Sequence, residues 1–131
     1  VEIAAVVEEL LRYLSVAELV PRVAKADIPV GEEVIRAGEG VLISVIAANH
    51  DPDFLADGHV LDVTRGENRH MAFGHGIHTC IGQNLARLEI SVALTQLFSS
   101  IPALRLAEPL ADLPIRDSIE VQGVLRMPIT W

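Results

Sequence analysis

Between residues 73 and 82 the chain reads Phe73-Gly74-His75-Gly76-Ile77-His78-Thr79-Cys80-Ile81-Gly82. This segment, called the cysteine loop below, contains the only cysteine of the chain, three glycines and two histidines. A helix-forming run follows it directly. A thiolate at a helix N-terminus, inside a loop shaped by glycines, is suited to hold an anion or to ligate a soft metal.

Composition restricts the classes of protein to which the chain can belong. Its 131 residues are enough for one domain, and 50% hydrophobic with 21% charged residues is typical of a globular chain. The net charge of −8 argues against binding to nucleic acid. The single cysteine excludes an internal disulfide, and no run of about 18 apolar residues exists. We therefore expect a cytoplasmic protein with neither a nucleic-acid nor a membrane partner.

Hydrophobic periodicity predicts a helix over residues 1–15, ended by Pro21 and the residues after it. Residues 22–45 alternate short apolar pieces with glycines, which predicts two or three short strands. A short helical turn is expected over residues 46–50, and residues 53–71 have no sustained period and are interpreted as a long irregular loop.

The second strong helix is predicted over residues 80–100. Its apolar stripe comprises Ile81, Leu85, Leu88 and Val92, with Gln96 in register. Residues 101–131 contain strand-like pieces and a turn at Gly123, which predicts a terminal β-hairpin.

Several simpler interpretations compete for these residues. A lone cysteine is most often an inert packing residue, although packing does not require so many glycines around one thiol. A structural zinc site would use a set of four side chains, but their spacing in sequence is too crowded for four ligands to converge; they are His70, His75, His78 and Cys80. Ser44, His50 and Asp51 formally allow a hydrolase triad, but no nucleophile elbow accompanies them.

Charged residues also have ordinary interpretations. Glu9 and Arg12 lie three positions apart on the first helix, a spacing typical of solvated ion pairs worth a few tenths of a kcal/mol. Arg65 and Arg69 in the long loop read equally well as surface charges.

Taken together, these segments resemble the cytochrome P450 family of haem-thiolate monooxygenases. The cysteine loop, continuing to Leu85-Ala86-Arg87, is similar to the family's cysteine-ligand loop. Glu9-Leu10-Leu11-Arg12 resembles its Glu-x-x-Arg helix motif, and Arg65 matches the loop arginine that joins that pair. The resemblance implies the C-terminal part of a P450 fold, which is mainly α with small β-sheets, over residues 1–131. It is strongest to the soluble bacterial, actinomycete type.

The resemblance also implies roles for individual residues. Cys80 would be the proximal ligand of the haem iron, with Phe73 covering the sulfur and Gly74 and Gly82 shaping the loop. Arg22 and His78 match the positions that bind the haem propionates. Glu9, Arg12 and Arg65 would form a buried charge network that fixes the long loop, because unpaired charges there would be costly.

The implied reaction inserts one oxygen atom from O₂ into a small lipophilic substrate. Electrons would come from a reductase through a ferredoxin-type partner, attracted to a basic patch of Arg65, Arg69, His75 and Arg87. Substrate contacts are expected around residues 17–20 and 121–123.

No segment resembles the family's long distal helix, so a non-catalytic haem-binding remnant is the main alternative and the zinc module the second. A fragment with one face of the haem site would leave apolar surface exposed, and we expect it to bind haem weakly or to aggregate.

Three departures from the family's usual pattern are also visible. Gly58 stands where many relatives have proline, and Phe54-Leu55 is shifted against the usual order. Pro29 is expected to interrupt a stretch that is normally a strand.

Overall fold

The structure, a computed structural model, describes residues 2–66, 69–116 and 123–131. Its elements are three α-helices and three two-stranded antiparallel sheets. The helices are α1 (Ile3–Leu14), α2 (Val45–His50) and α3 (Gln83–Ser100); the strands are β1 (Leu19–Val23), β2 (Ile28–Val30), β3 (Glu33–Ile35), β4 (Gly40–Ser44), β5 (Arg105–Leu106) and β6 (Ile129–Thr130). Short 3₁₀ helices lie at Gly76–His78 and Leu110–Asp112. The expected fold class, helices with small sheets, is confirmed.

The first helix is confirmed, but the prediction that Pro21 ends it was wrong. Helix α1 stops at Leu14, because Ser15 adopts a left-handed conformation with φ of 41°. The backbone N–H of Ser15 donates to Leu11 O, and its hydroxyl donates to Arg12 O at 2.7 Å. These bonds satisfy carbonyls at the helix end, and the chain is then free to enter β1.

The strand region contains four strands, not two or three, and Pro21 lies inside β1. β1 pairs with β4 from Leu19 opposite Ser44 to Val23 opposite Gly40. Pro29 does not interrupt a strand, because it lies within β2 opposite Val34 of β3. A sheet of two strands leaves one edge of each strand unpaired, so a residue without an N–H is tolerated there.

Helix α2 confirms the predicted helical turn, and its first turn is capped by the Ser44 hydroxyl, which accepts from Ala47 N at 3.2 Å. The described parts of the long loop that follows contain turns but no helix or strand until Gly76. Among the described residues, only four hydrophobic side chains are buried: Val7, Ala24, Val45 and Leu113.

Helix α3 starts at Gln83, three residues later than predicted, and its apolar stripe faces away from the rest of this chain. Leu85 and Leu88 are each 60% exposed, and Val92 is 52% exposed. The helix contacts α1 through its other side, where Arg87 reaches Glu8. The described part of the chain therefore leaves the predicted stripe exposed.

At the C-terminal end, β5 and β6 pair antiparallel, and an isolated bridge joins Ile115 to Val124. Arg116 N donates to Gly123 O at 2.8 Å, and Leu125 N donates to Pro114 O at 2.8 Å. Both flanks of the predicted hairpin are therefore antiparallel, while residues 117–122 lie outside the described part. Over the described ranges, none of the helices combines the length and the apolar character needed to cross a membrane.

Candidate functional site

A buried polar cluster lies between α1 and the long loop. The Glu9 and Arg12 side chains are both 0% exposed, and they are joined by two hydrogen bonds of 2.8 Å, from Arg12 Nε to Glu9 Oε2 and from Arg12 Nη2 to Glu9 Oε1. Asp62 N also donates to Glu9 Oε1, at 2.9 Å. The ordinary interpretation of this pair as a solvated surface ion pair is therefore wrong, because both side chains are enclosed.

Arg12 also binds the main chain of distant segments. Its Nη1 donates to Asn49 O at 2.7 Å and to Gly58 O, and its Nη2 donates to Val60 O at 3.0 Å. One guanidinium thus joins α1 to the end of α2 and to two positions of the loop. The donors of an arginine are arranged in a fixed planar fork, so these bonds also fix the direction of the loop backbone.

Arg65 lies next to this pair. Its Nε is 3.6 Å from Glu9 Oε1, and its side chain is only 16% exposed. Its Nη1 donates to Ala56 O at 3.1 Å, and its Nη2 donates to Asp57 O at 3.2 Å. The three charges that sequence analysis grouped together are therefore adjacent, and the interpretation of Arg65 as a plain surface charge is wrong.

Asn49 and Ser15 complete the cluster, and sequence analysis did not identify either of them. Both are 0% exposed. Asn49 Nδ2 donates to Ser15 Oγ at 2.8 Å, and Asn49 Oδ1 accepts from Met71 N at 2.7 Å. Asn49 therefore connects the end of α2 to the segment that leads into the cysteine loop. The one available signal was a polar residue at the end of an apolar helix, just before Asp51-Pro52.

Gly58 is required by close packing of two backbone segments. A Cβ at this position would lie 2.9 Å from His50 O and 3.0 Å from His50 C. Both are backbone atoms, so neither can rotate away. Glycine therefore occupies this position because the loop passes directly against the end of α2, where its carbonyl accepts from Arg12.

We expect Gly58→Ala to lower the free energy of unfolding by about 1–3 kcal/mol, because overpacking against a fixed backbone forces the loop to shift. Urea denaturation followed by circular dichroism measures the change. Gly66→Ala is the matched control in the same loop, since a Cβ there meets nothing within 4 Å. Equal stability of the two variants would contradict the prediction.

The cysteine loop folds back on itself. Cys80 N donates to Phe73 O at 2.9 Å, and Gly74 N donates to Met71 O at 2.8 Å. Gly74 and Gly76 have φ of 72° and 73°, a region that glycine enters without strain. At the far end, Gln83 N donates to Cys80 O at 3.3 Å, so the thiol lies just ahead of α3 and not within its first turn.

The thiol of Cys80 is exposed and lines an open cavity of about 410 Å³. Phe73, Gly74, His78 and Arg22 line the same cavity, so it contains five of the six predicted cofactor-binding residues. The remaining wall is largely apolar and comes from Leu11, Val16, Ala17, Val20, Val45 and Ala72, with His75 beside them. The sixth residue, Gly82, lies next to the sulfur, because a Cβ on it would be 3.9 Å from Cys80 Sγ.

Other predicted arrangements are not found. Within the described ranges, no group of three or more His, Cys, Asp and Glu side chains is close enough to hold a metal ion. This argues against the zinc alternative, all four of whose proposed ligands are described. His70 is instead engaged by Glu8 Oε2, at 3.1 Å from its Nε2, and His50 Nδ1 lies 2.8 Å from Ile46 O, at the end of α2.

A second cavity, of about 440 Å³, contains most of the predicted basic patch. Arg69, His75 and Arg87 line it, together with Glu8, Phe54, His70 and Met71. Arg65 does not line this cavity, because its side chain is committed to the buried cluster. The contribution of Arg65 to the patch stays a prediction.

Comparison with known proteins gives consistent matches. The family model described as Cytochrome P450 matches residues 3–101. The chain is 48% identical over 126 residues to Cytochrome P450 105A3 of Streptomyces carbophilus, and 49% identical over 126 residues to a Vitamin D3 dihydroxylase of Streptomyces griseolus. Each alignment covers 95% of this chain but 31% of the relative, so the chain spans about a third of their length and matches their C-terminal part.

Solved structures match as well. Mycinamicin VIII C21 methyl hydroxylase from Micromonospora griseorubida, solved bound to mycinamicin VIII, superposes on this chain with a TM-score of 0.95 at 43% identity. The alignment covers 98% of this chain and 33% of that structure. Haem is the cofactor of this family. The buried Glu9–Arg12 pair, the cysteine loop and these matches lead to one conclusion: the chain belongs to the cytochrome P450 family.

Proposed function

We propose that the chain is the haem-ligating, C-terminal part of a haem-thiolate monooxygenase, with Cys80 as the ligand of the iron. The observation that carries the proposal is the position of the Cys80 thiol, which is exposed and lines an open, largely apolar cavity. An inert packing cysteine would instead be enclosed by aliphatic side chains. A flat, mostly apolar macrocycle with two carboxylates fits a cavity with apolar walls, one thiol and the basic side chains Arg22 and His78.

Each residue of the cavity has a task that its chemistry supports. Cys80 would bind as the thiolate, and the start of α3 three residues later places the positive end of the helix near that charge. Gly82 keeps the space beside the sulfur open, since it carries no side chain there. Arg22 and His78 would pair with the propionates by charge-assisted hydrogen bonds. Phe73 would limit access of water to the sulfur.

The buried cluster has a supporting task. Glu9, Arg12, Arg65 and Asn49 hold the long loop, and Asn49 Oδ1 accepts from Met71 N, two residues before Phe73. We propose that this cluster positions the cysteine loop rather than contacting the cofactor. When bound, a thiolate-ligated haem supplies the chemistry that splits the O–O bond of O₂.

We further propose a small lipophilic organic substrate. Val16, Ala17 and Val20 line the Cys80 cavity, and Val16 also lines an adjacent cavity of about 350 Å³ with Ile115, Gly123 and Val124. Of the two predicted substrate segments, residues 17–20 thus border the site, and residues 121 and 122 lie outside the described part. Two relatives are named for vitamin D3 and mycinamicin VIII, which supports an organic substrate without identifying it.

The proposed electron donor is an acidic, ferredoxin-type protein served by a reductase. Arg69, His75 and Arg87 line one cavity, so their basic groups lie together on a chain of net charge −8. Such a local patch attracts an acidic partner, and its effect weakens as salt rises. A cytoplasmic location also stays a proposal, supported by the single unpaired cysteine.

The test of the thiolate ligand is spectroscopic. The chain is loaded with haem, reduced and exposed to carbon monoxide, and we expect the strongly red-shifted Soret band of a thiolate ligand. Cys80→Ala should abolish this band, and Cys80→His should retain bound haem without the red shift. The band in Cys80→Ala would contradict the proposal.

The same measurement is repeated in a complete framework. A chimaera carries this chain in place of the matching C-terminal part of Cytochrome P450 105A3, so that both faces of the haem are enclosed. If the chimaera shows the red-shifted band and the 131-residue chain does not, the exposed apolar surface of the shorter chain accounts for its failure to bind haem. If the band is absent from both proteins, Cys80 is not the ligand of the iron.

The second candidate is a haem-binding protein without turnover. It is favoured by the apolar stripe of α3, which the described part of the chain leaves exposed. A surrogate oxidant that replaces O₂ and the redox partner separates the two candidates. Product formation from a lipophilic test substrate supports the monooxygenase, and bound haem without product supports the non-catalytic protein.

A further inference from the structure

A second side-chain cluster joins three separate segments of the chain. Glu8 of α1 accepts two hydrogen bonds from Arg87 of α3, at 2.6 Å from Nε and 3.0 Å from Nη2. Glu8 Oε2 is also 3.1 Å from His70 Nε2, in the loop before the cysteine. Gln83 Oε1 accepts from Arg87 Nη1 at 3.0 Å. We call Glu8, His70 and Arg87 the Glu8 cluster.

The Glu8 cluster packs against Phe73. The guanidinium carbon of Arg87 lies 4.7 Å from the Phe73 ring centroid, within the range of a cation–π contact. The His70 and Phe73 ring centroids are 6.2 Å apart, with their planes inclined at 52°. Phe73 O in turn accepts from Cys80 N. A chain of contacts therefore runs from the Glu8 cluster through Phe73 to the residue that carries the thiol.

The hydrogen bonds of His70 determine its tautomer. Ala72 N donates to His70 Nδ1 at 3.2 Å, so Nδ1 is an acceptor and carries no proton. The proton of the neutral ring must therefore be on Nε2, which donates it to Glu8 Oε2. A second proton would have to bind Nδ1, where it would face the N–H of Ala72. Two donors would then oppose each other, and the turn directly before Phe73 would have to open.

The surroundings of His70 favour the neutral ring at pH 7. Its side chain is 3% exposed. Burial lowers the pKa of His70 below its usual 6.5; the nearby Glu8 carboxylate opposes this, and the charges of Arg87 and Arg12 add to it. The charged and titratable groups around it come from every packed element: Glu8 and Arg12 from α1, Arg87 from α3, and Arg69 and His75 from the loop that lines the same cavity.

We propose that His70 is a positioning residue that holds Phe73 beside Cys80 only while its imidazole is neutral. The inference rests on the proposed function insofar as Cys80 binds haem. It adds that acid should release the loop before it unfolds the protein. As the pH falls from 6.5 towards the lower folded-state pKa of His70, the open fraction of this turn should rise, by at most about tenfold per pH unit for one proton.

Two substitutions separate the two hydrogen bonds of His70. In His70→Asn, the side-chain oxygen can accept from the N–H two residues on, as in an Asx turn, but it does not titrate. In His70→Gln, the longer amide can donate to Glu8 but lacks the local acceptor for Ala72. His59→Asn, at an exposed position of the same loop, is the control.

The first measurement uses the chain without haem. Exchange of the Ala72 and Cys80 amide protons is followed by NMR from pH 8 to pH 5 and corrected for intrinsic exchange. We expect protection of both amides to fall with acid in the unaltered chain and in His59→Asn. In His70→Asn, the protection of both amides should not change with pH. In His70→Gln, it should already be low at pH 8. A level profile in the unaltered chain, or an acid-dependent loss in His70→Asn, would overturn the proposal.

The second measurement uses the haem-loaded chain and, if that does not load, the chimaera. The share of thiolate-type Soret band in the reduced carbon monoxide complex should fall with acid, and His70→Asn should remove that dependence. A band whose acid dependence is unchanged in His70→Asn would overturn the role of His70. If neither protein shows the band at pH 8, the proposed function fails, and the amide measurement still decides whether neutral His70 holds the turn.

Discussion

Arg12→Leu is expected to lower the free energy of unfolding by about 3–5 kcal/mol, the usual cost of removing one partner of a buried ion pair. The reason is the number of groups that one guanidinium serves. Glu9 loses two hydrogen bonds in an enclosed site, and the carbonyls of Asn49, Gly58 and Val60 each lose a donor. A small domain has a total stability of about 5–15 kcal/mol, so this variant approaches the limit of folding.

Two comparison variants make this expectation specific. Arg36→Leu removes an ion pair with Asp27 in which both side chains are more than half exposed, so it should change the stability far less than Arg12→Leu does. Arg12→Lys keeps the positive charge but not the planar fork, and it should lie closer to Arg12→Leu than to the unaltered chain. Chemical denaturation measures all three variants. If Arg12→Leu and Arg36→Leu were equally stable, the buried cluster would not hold the fold.

Asn49→Ala is expected to cost about 2–4 kcal/mol. The substitution leaves the N–H of Met71 without its acceptor, which costs about 1–3 kcal/mol, and it removes the hydrogen bond to the Ser15 hydroxyl, worth about 0.5–1.5 kcal/mol, while that hydroxyl still donates to Arg12 O. It also disconnects α2 from the segment that precedes Phe73. Thermal unfolding followed by circular dichroism measures the loss, and amide exchange at Met71 reports whether the connection itself has opened.

Asn84→Ala is the control for this effect. Asn84 is exposed near the start of α3, and alanine is the better helix former, so its stability should stay within about 0.5 kcal/mol of the unaltered chain. Unchanged protection of the Met71 amide in Asn49→Ala would show that Asn49 does not anchor the loop.

Local patterns in the sequence predicted most of the local structure. The periodicity of residues 1–15 predicted α1, and the three-residue spacing of Glu9 and Arg12 correctly placed both side chains on one face. The glycines of the cysteine loop predicted backbone conformations that Gly74 and Gly76 do adopt. These features depend on neighbouring residues, so they can be recognised without knowledge of the fold.

Features that depend on distant segments were missed. Asn49 and Ser15 are polar residues with no distinctive spacing, and only the approach of α1 to the loop explains why both are buried. Gly58 was noted only as a departure from the family's proline, because its contact with His50 joins two segments of backbone. The stripe of α3 was recognised, but which side of a helix is covered depends on the rest of the protein.

The way in which Arg12 anchors the loop has a consequence for how this segment can diverge between homologues. Arg12 recognises main-chain carbonyls, which every residue type provides, and not the side chains of residues 50–60. Exchanges such as those at Phe54 and Leu55 therefore leave the anchor unchanged. An insertion or deletion between Asn49 and Val60 would displace the carbonyls from the guanidinium, so selection should conserve the length of this interval more strictly than its residue identities, apart from the glycine that packing requires at position 58.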